Sequence, residues 1–343
     1  MGGSFGEPQP PGEASGNDRR AKPERGAAGA PPHSELTRRL ATIDLGTNTV
    51  RLLVVELTGG AWRPLEQTQR VTRLGEGQGA RGRLPEEPVA RTVATVAEYV
   101  ASAERLGAVE VRIVATSAVR EAPNRNEFAE RVRRATGRGI EILSGEDEAR
   151  LTLLGVASGL PALGGSFLLL DIGGGSTEFV LAQQGRPAAA VSLRLGVVSL
   201  TERYLDAGPV DWARYGQMAR EIEGRLAAEL PPAITAGGAP LLVGTAGTVT
   251  ALAALDLGLA RYDAARVQAH VLTRAAVERE RLRLGALPVA ERAQLPSLER
   301  GRADVLIAGI AICLGALDRL GFTSLVVSDR GLREGILCEI LAK

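Results

Sequence analysis

Hydrophobic and polar positions change rhythm sharply near residue 40. Residues 1–39 hold six prolines and seven glycines and almost no large aliphatics. Such a stretch cannot bury enough apolar surface to offset its ordering entropy, and it reads as a disordered tail. Beyond it, Ala41-Thr42-Ile43-Asp44-Leu45, a turn at Gly46-Thr47-Asn48 and an apolar run over 50–57 read as strand, glycine turn, strand. A glycine-rich loop is expected over 71–83. Val89, Val93, Val96 and Val100 recur at helical spacing, and 111–115 reads as a short strand. A helix over 127–136 and a strand over 140–143 follow. Ser144, with Asp147 three residues on, resembles a capping box opening a helix over 145–160.

The opening pattern then returns. Phe167-Leu168-Leu169-Leu170-Asp171-Ile172 runs into Gly173-Gly174-Gly175-Ser176 and a second apolar segment, Thr177-Glu178-Phe179-Val180-Leu181. Asp44 and Asp171 lie 127 residues apart, which points to two related halves, each starting with a hairpin. A third glycine turn, Val243-Gly244-Thr245-Ala246-Gly247-Thr248, joins a strand to a helix. The remaining pattern predicts a helix over 302–320, a strand over 324–328, and a last helix opened by Asp329-Arg330-Gly331. Alternating strands and helices argue for two α/β domains across a cleft, over 40–147 and 148–325, with 326–343 returning to the first.

Charge narrows the chemistry. Lys plus Arg is 41 against 40 for Asp plus Glu, a net charge of +1, so no basic excess marks a nucleic-acid binder. Lys22 and Lys343 are the sole lysines and His33 and His270 the sole histidines, which argues against a P-loop, a histidine triad or a multi-histidine zinc site. Acid–base work should therefore fall to carboxylates. Cys313 and Cys338 lack metal spacing and read as free thiols. The longest apolar run, 305–317, is too short to span a bilayer and reads as a core helix. With no secretory h-region in sight, the expectation is a cytoplasmic protein with neither membrane nor nucleic acid as partner.

Glycine turns between strands turn successive N–H groups to one concave side and let phosphate oxygens approach the backbone. Thr47, Ser176, Thr177, Thr245 and Thr248 add hydroxyl donors. Asp44 and Asp171, each just before its turn, are placed to hold Mg²⁺, which favours carboxylate and phosphate oxygens. Three turns, two with a preceding aspartate, lift phosphate binding above the reading of plain hairpins. Glu148 and Glu178 are candidate bases for a water attacking phosphorus, and Arg120 could clamp a phosphate bidentately. The bland readings are a solvated helix-capping acid for Glu148, an exposed strand residue for Glu178, and a surface ion pair with Glu121 or a helix-end charge for Arg120.

Six blocks occur in order: Ile43-Asp44-Leu45-Gly46-Thr47-Asn48-Thr49, Ala115-Thr116-Ser117-Ala118-Val119-Arg120, Ser144-Gly145-Glu146-Asp147-Glu148-Ala149-Arg150-Leu151, Asp171-Ile172-Gly173-Gly174-Gly175-Ser176-Thr177-Glu178, Gly244-Thr245-Ala246-Gly247-Thr248, and Ser328-Asp329-Arg330-Gly331-Leu332-Arg333-Glu334-Gly335. Together they closely resemble the exopolyphosphatase / guanosine pentaphosphate phosphohydrolase (Ppx/GppA) family, in its short two-domain form. The resemblance implies two duplicated ribonuclease-H-like domains of the actin/Hsp70/sugar-kinase type around a cleft. It places the family's catalytic glutamate on Glu148, its second active-site glutamate on Glu178 and its metal-binding aspartate on Asp171. The phosphate loops fall on Gly46 to Asn48, Gly173 to Ser176 and Gly244 to Thr248, and the conserved arginine on Arg120. The implied cofactor is Mg²⁺ or another divalent cation, with room for a monovalent one, and the implied assembly is a homodimer. The activity implied is release of orthophosphate from the ends of inorganic polyphosphate. Conversion of guanosine pentaphosphate to tetraphosphate is the nearest alternative, ahead of a same-fold kinase or ATPase and a non-catalytic polyphosphate sensor.

Overall fold

The two aspartate–glycine blocks are hairpins in the computed structural model, which describes residues 37–59, 61–236 and 238–342. Strands β1 (Arg38–Leu45), β2 (Thr49–Thr58), β3 (Ala61–Val71), β4 (Glu110–Ala115) and β5 (Glu141–Ile142) form one sheet in the order β3-β2-β1-β4-β5. β1 runs antiparallel to β2 and parallel to β4. Strands β6 (Phe167–Ile172), β7 (Thr177–Gln183), β8 (Arg186–Leu193), β9 (Leu242–Thr245), β10 (Val271–Thr273) and β11 (Ser324–Val327) form a second sheet in the order β10-β11-β9-β6-β7-β8. The winding repeats: an antiparallel three-strand meander, then parallel neighbours, with β10 as an added edge. The repeat holds rung by rung, since Asp44 faces Arg51 and Asp171 faces Glu178, a shift of 127 positions (44 to 171, 51 to 178).

Both sheets carry helices on both faces, which is why their inner strands read as nearly continuous apolar runs. Val54 and Ile43 pack with Val96, Val100 and Phe128 from the helices Glu86–Arg105 and Arg125–Thr136. On the opposite face, Leu40, Leu53 and Val55 pack with Leu151 and with Ile336 and Leu337 of the last helix, Leu332–Leu341. The helix Gly145–Gly159 is shared: Leu151 faces the first sheet, whereas Ala149, Leu153 and Val156 pack against Phe167, Leu169 and Val180 of the second. It meets the last helix backbone to backbone. A Cβ on Gly155 would stand 1.8 Å from the Gly331 carbonyl oxygen, and one on Gly335 1.7 Å from that of Leu151.

Several expectations shift. Of the tail expected over 1–39, residues 1–36 lie outside the described residues, whereas 38 and 39 already belong to β1. The expected boundary between 147 and 148 falls inside the shared helix, and the one at 326 inside β11. The 71–83 stretch begins on the last residue of β3 and contains a helical turn, Gln78–Arg81. The expected helix over 302–320 begins at Leu306, after a 3₁₀ turn at Arg300–Arg302. β3, β8 and β10 were not foreseen. All three are sheet edges; β3 and β8 are mostly polar or small in sequence, and each of these two carries a proline that an edge tolerates (Pro64, Pro187). Cys313 is a buried free thiol and Cys338 a half-buried one. Among the described residues no helix is long and apolar enough to cross a membrane.

Candidate active site

Asp171 is the penultimate residue of β6 and Glu178 faces it on β7, so the antiparallel rung brings two carboxylates together. Glu148 arrives from the first turn of the shared helix, whose N-cap Ser144 accepts the Asp147 N–H at 3.0 Å. Glu178 is 1% exposed and Glu148 8%, which excludes the solvated readings of both. Arg120 does not pair with Glu121. Its Nη1 donates to Glu148 Oε2 at 2.7 Å and to the Leu143 carbonyl at 3.1 Å, while Arg194 takes Glu121 at 2.8 Å.

Desolvation dominates the electrostatics. Burial, then the nearby Glu178 charge, pushes Glu148 well above the usual carboxylate range, against the pull of Arg120. Burial and Glu178 likewise push Asp171 up to about 7. Glu178 is raised by burial, opposed by hydrogen bonds from Ser176 and Ser192. Asp44 is raised by burial, opposed by Arg51, whose guanidinium lies 3.6 Å away, and by Arg333. A carboxyl whose folded pKa exceeds its unfolded value contributes stability below the unfolded value and loses it as pH rises through the folded one. In divalent-free buffer the melting temperature should therefore fall as pH rises from about 5 towards 8, the span that brackets the Asp171 value of about 7. Thermal scans across this span check this, and a flat profile would contradict the burial of these acids.

The three turns meet at one cavity of about 490 Å³, walled by Gly46 to Asn48, Gly173 to Ser176, and Thr245, Gly247 and Thr248, with Asp44, Glu148 and Asp171 among them. The first two turns touch: a Cβ on Gly175 would stand 2.5 Å from Thr47 Oγ1 and 2.7 Å from Ser117 Oγ. The third is tied down by Thr245, whose hydroxyl donates to the carbonyls of Ser328 and Arg330, both at 3.0 Å. Three residues expected to touch phosphate, Arg120, Thr177 and Gly244, do not line the cavity, and neither does Glu178. The Thr177 hydroxyl donates instead to the Leu195 carbonyl at 2.5 Å. Arg120 is committed to Glu148, and Gly244 makes room for Leu325 and Val249, 3.0 Å from where its Cβ would be.

Three cavity arginines were given no role: Arg51, Arg302, and Arg333, which lies inside the sixth block and sits 3.7 Å from Glu334. Arg51 occupies, in the first half, the rung that Glu178 occupies in the second, so aligning the halves would have found it. Arg302 leans on the third turn, where a Cβ on Gly247 would stand 1.6 Å from its Nη1, and it pairs with Glu299 at 2.7 Å. Its place beside the core helix gives no sequence signal.

A ribonuclease-H-like unit built twice, with acid-bearing turns on one cavity, defines the actin/Hsp70/sugar-kinase fold class. Residues 53–343 match the model of the Ppx/GppA phosphatase family, and the chain belongs to that family. Exopolyphosphatase 2 of Mycobacterium tuberculosis is 34% identical over 312 residues, covering 87% of this chain and 97% of that protein. Exopolyphosphatase 1 of Mycobacterium bovis is 32% identical over 300 residues, 87% of each. The crystal structure of the Aquifex aeolicus Ppx/GppA family member superposes with a TM-score of 0.74 at 33% identity, covering 89% of this chain and 98% of that one. An exopolyphosphatase from Cytophaga hutchinsonii gives 0.83 at 26% identity, with the same coverage.

Proposed function

We propose that the protein is an exopolyphosphatase, hydrolysing the terminal phosphoanhydride bond of inorganic polyphosphate to release orthophosphate. The observation that carries this reading is a buried glutamate beside two glycine turns in one cavity, supported by the names of the relatives. Glu148 accepts the proton of a water that attacks the terminal phosphorus. Its Oε2 is held by Arg120, which leaves Oε1 for the water, and burial strengthens it as a base. The P–O bond to the bridging oxygen breaks, and the electron pair leaves with the shortened chain. The backbone N–H groups of Thr47, Asn48, Gly174, Gly175 and Ser176 hold the non-bridging oxygens of the transferring group, while those of Gly46 and Gly173 close the turns on the carbonyls of Thr49 and Ser176 at 3.1 and 2.9 Å. Glu178 sets the charge beside Asp171 and assists in placing the water.

The donor set fits a hard divalent cation. Asp44 Oδ1 and Asn48 Oδ1 are buried acceptors without a hydrogen-bond partner, and Asp171 brings a further carboxylate into the cavity. Among the described residues no group of three or more His, Cys, Asp or Glu forms a cage. That suits Mg²⁺, which takes one or two carboxylates and completes its shell with water and phosphate. Asp171 and Asp44 would hold it, and when bound it neutralises charge on the phosphoryl oxygens.

One phosphate-release assay tests the reading, comparing short polyphosphate, long polyphosphate, guanosine pentaphosphate and ATP, each with Mg²⁺ and with excess chelator. Polyphosphate should turn over fastest and the chelator should abolish turnover. Preference for guanosine pentaphosphate or ATP would replace the substrate, and full activity in chelator would end the metal assignment.

A further inference from the structure

We propose that Ser192, on the edge strand β8, is a positioning residue for this reaction: it fixes Glu178 and spaces it from the helix that carries Glu148. The inference rests on the reading of Glu178 as an active-site glutamate. β7 lies between β6 and β8, so Glu178 has Asp171 on one side of its rung and Ser192 on the other. The Ser192 hydroxyl donates to Glu178 Oε1 at 2.7 Å. Glu178 is almost wholly shielded from water, so a lost donor there has little solvent to replace it.

The other face of Ser192 meets Gly145, the first residue of the Glu148 helix. A Cβ on Gly145 would stand 2.9 Å from Ser192 Cβ and 3.4 Å from its Oγ. One small side chain therefore touches both the carboxylate of one acid and the start of the helix bearing the other. Serine meets both demands: its hydroxyl supplies the donor, and its lack of a branch lets the helix start come this close. An ordinary solvent-facing edge position asks for neither.

The test is steady-state phosphate release from polyphosphate with Mg²⁺ by the full chain, comparing wild type, Ser192→Ala, Glu178→Gln and the double variant. Ser192→Ala should lower kcat about 10-fold, the loss expected when a charged group loses a hydrogen bond, with KM within about 2-fold. In the Glu178→Gln background the same change should lower kcat no further, because residues acting through one another are not additive. A purely structural serine would cost the same factor in both backgrounds, and that outcome overturns the proposal, as does a Ser192→Ala rate within about 2-fold of wild type. Gly145→Ala, which crowds Ser192 from the helix side, should reproduce the kcat loss; a wild-type rate there would overturn the spacing role. A Glu178→Gln enzyme within a few-fold of wild type would remove the reading of Glu178 itself, a failure visible in that single variant.

Discussion

Glu148→Gln should lower kcat by a factor of about 10² to 10⁴, the usual cost of a lost general base, while polyphosphate still binds. Glutamine keeps the shape and still accepts the Arg120 hydrogen bond at the Oε2 position, but it cannot take the proton. Affinity should hold or tighten, because one negative charge near a polyanion is gone. Stability should hold or rise. Glu148 is raised in the folded state by burial and by Glu178, so at neutral pH its charge works against the fold and a neutral isostere relieves it. A helix-capping acid on the surface would behave oppositely and lose about 0.3–1 kcal/mol. Measuring kcat, polyphosphate affinity and melting temperature on this variant separates the two. Turnover within a few-fold of wild type would sink the assignment and leave Glu178 as the candidate base.

Gly335→Ala should destabilise the fold by about 3 kcal/mol or more, the upper end of what overpacking costs. Helix propensity alone predicts the reverse, since alanine is favoured over glycine inside a helix by up to about 1 kcal/mol. The sign is set by contact: the new methyl would fall 1.7 Å from the Leu151 carbonyl oxygen and 3.2 Å from the Gly155 nitrogen, backbone atoms with no rotamer to change. The two helices would have to separate, carrying Glu148 away from the turns, so kcat should drop along with stability. Urea denaturation and a rate measurement check both. A stabilised alanine variant would mean that these helices do not touch.

The site's outline was legible because its parts are local in sequence. An aspartate ending an apolar strand, followed by a glycine turn, announces a hairpin with an acid at its mouth, and the second copy turned a weak signal into a specific one. What stayed hidden depends on residues far apart. Arg120 finds Glu148 rather than its neighbour Glu121 because β4 and the shared helix converge, which no local spacing reports. Glu178 could have faced solvent, and only the packing of β7 between two strands decides that it does not. Arg302 reaches Gly247 across a gap of more than fifty residues. β3 and β8 lack a strand rhythm because edges need no apolar alternation.

The twin rungs differ in sign: Asp44 faces an arginine, and Asp171 a glutamate. A linear polyphosphate chain is the same molecule read from either end, and a duplicated fold brings two nearly equivalent rungs to one cavity. Nothing in such a pair would say which end is to be cut. Fusing the copies into one chain frees the two rungs to differ, and the difference supplies the missing direction. One rung pairs a carboxylate with a guanidinium and is electrically balanced, while the other sets two carboxylates side by side. The broken symmetry gives the cavity a polarity that its proposed substrate lacks.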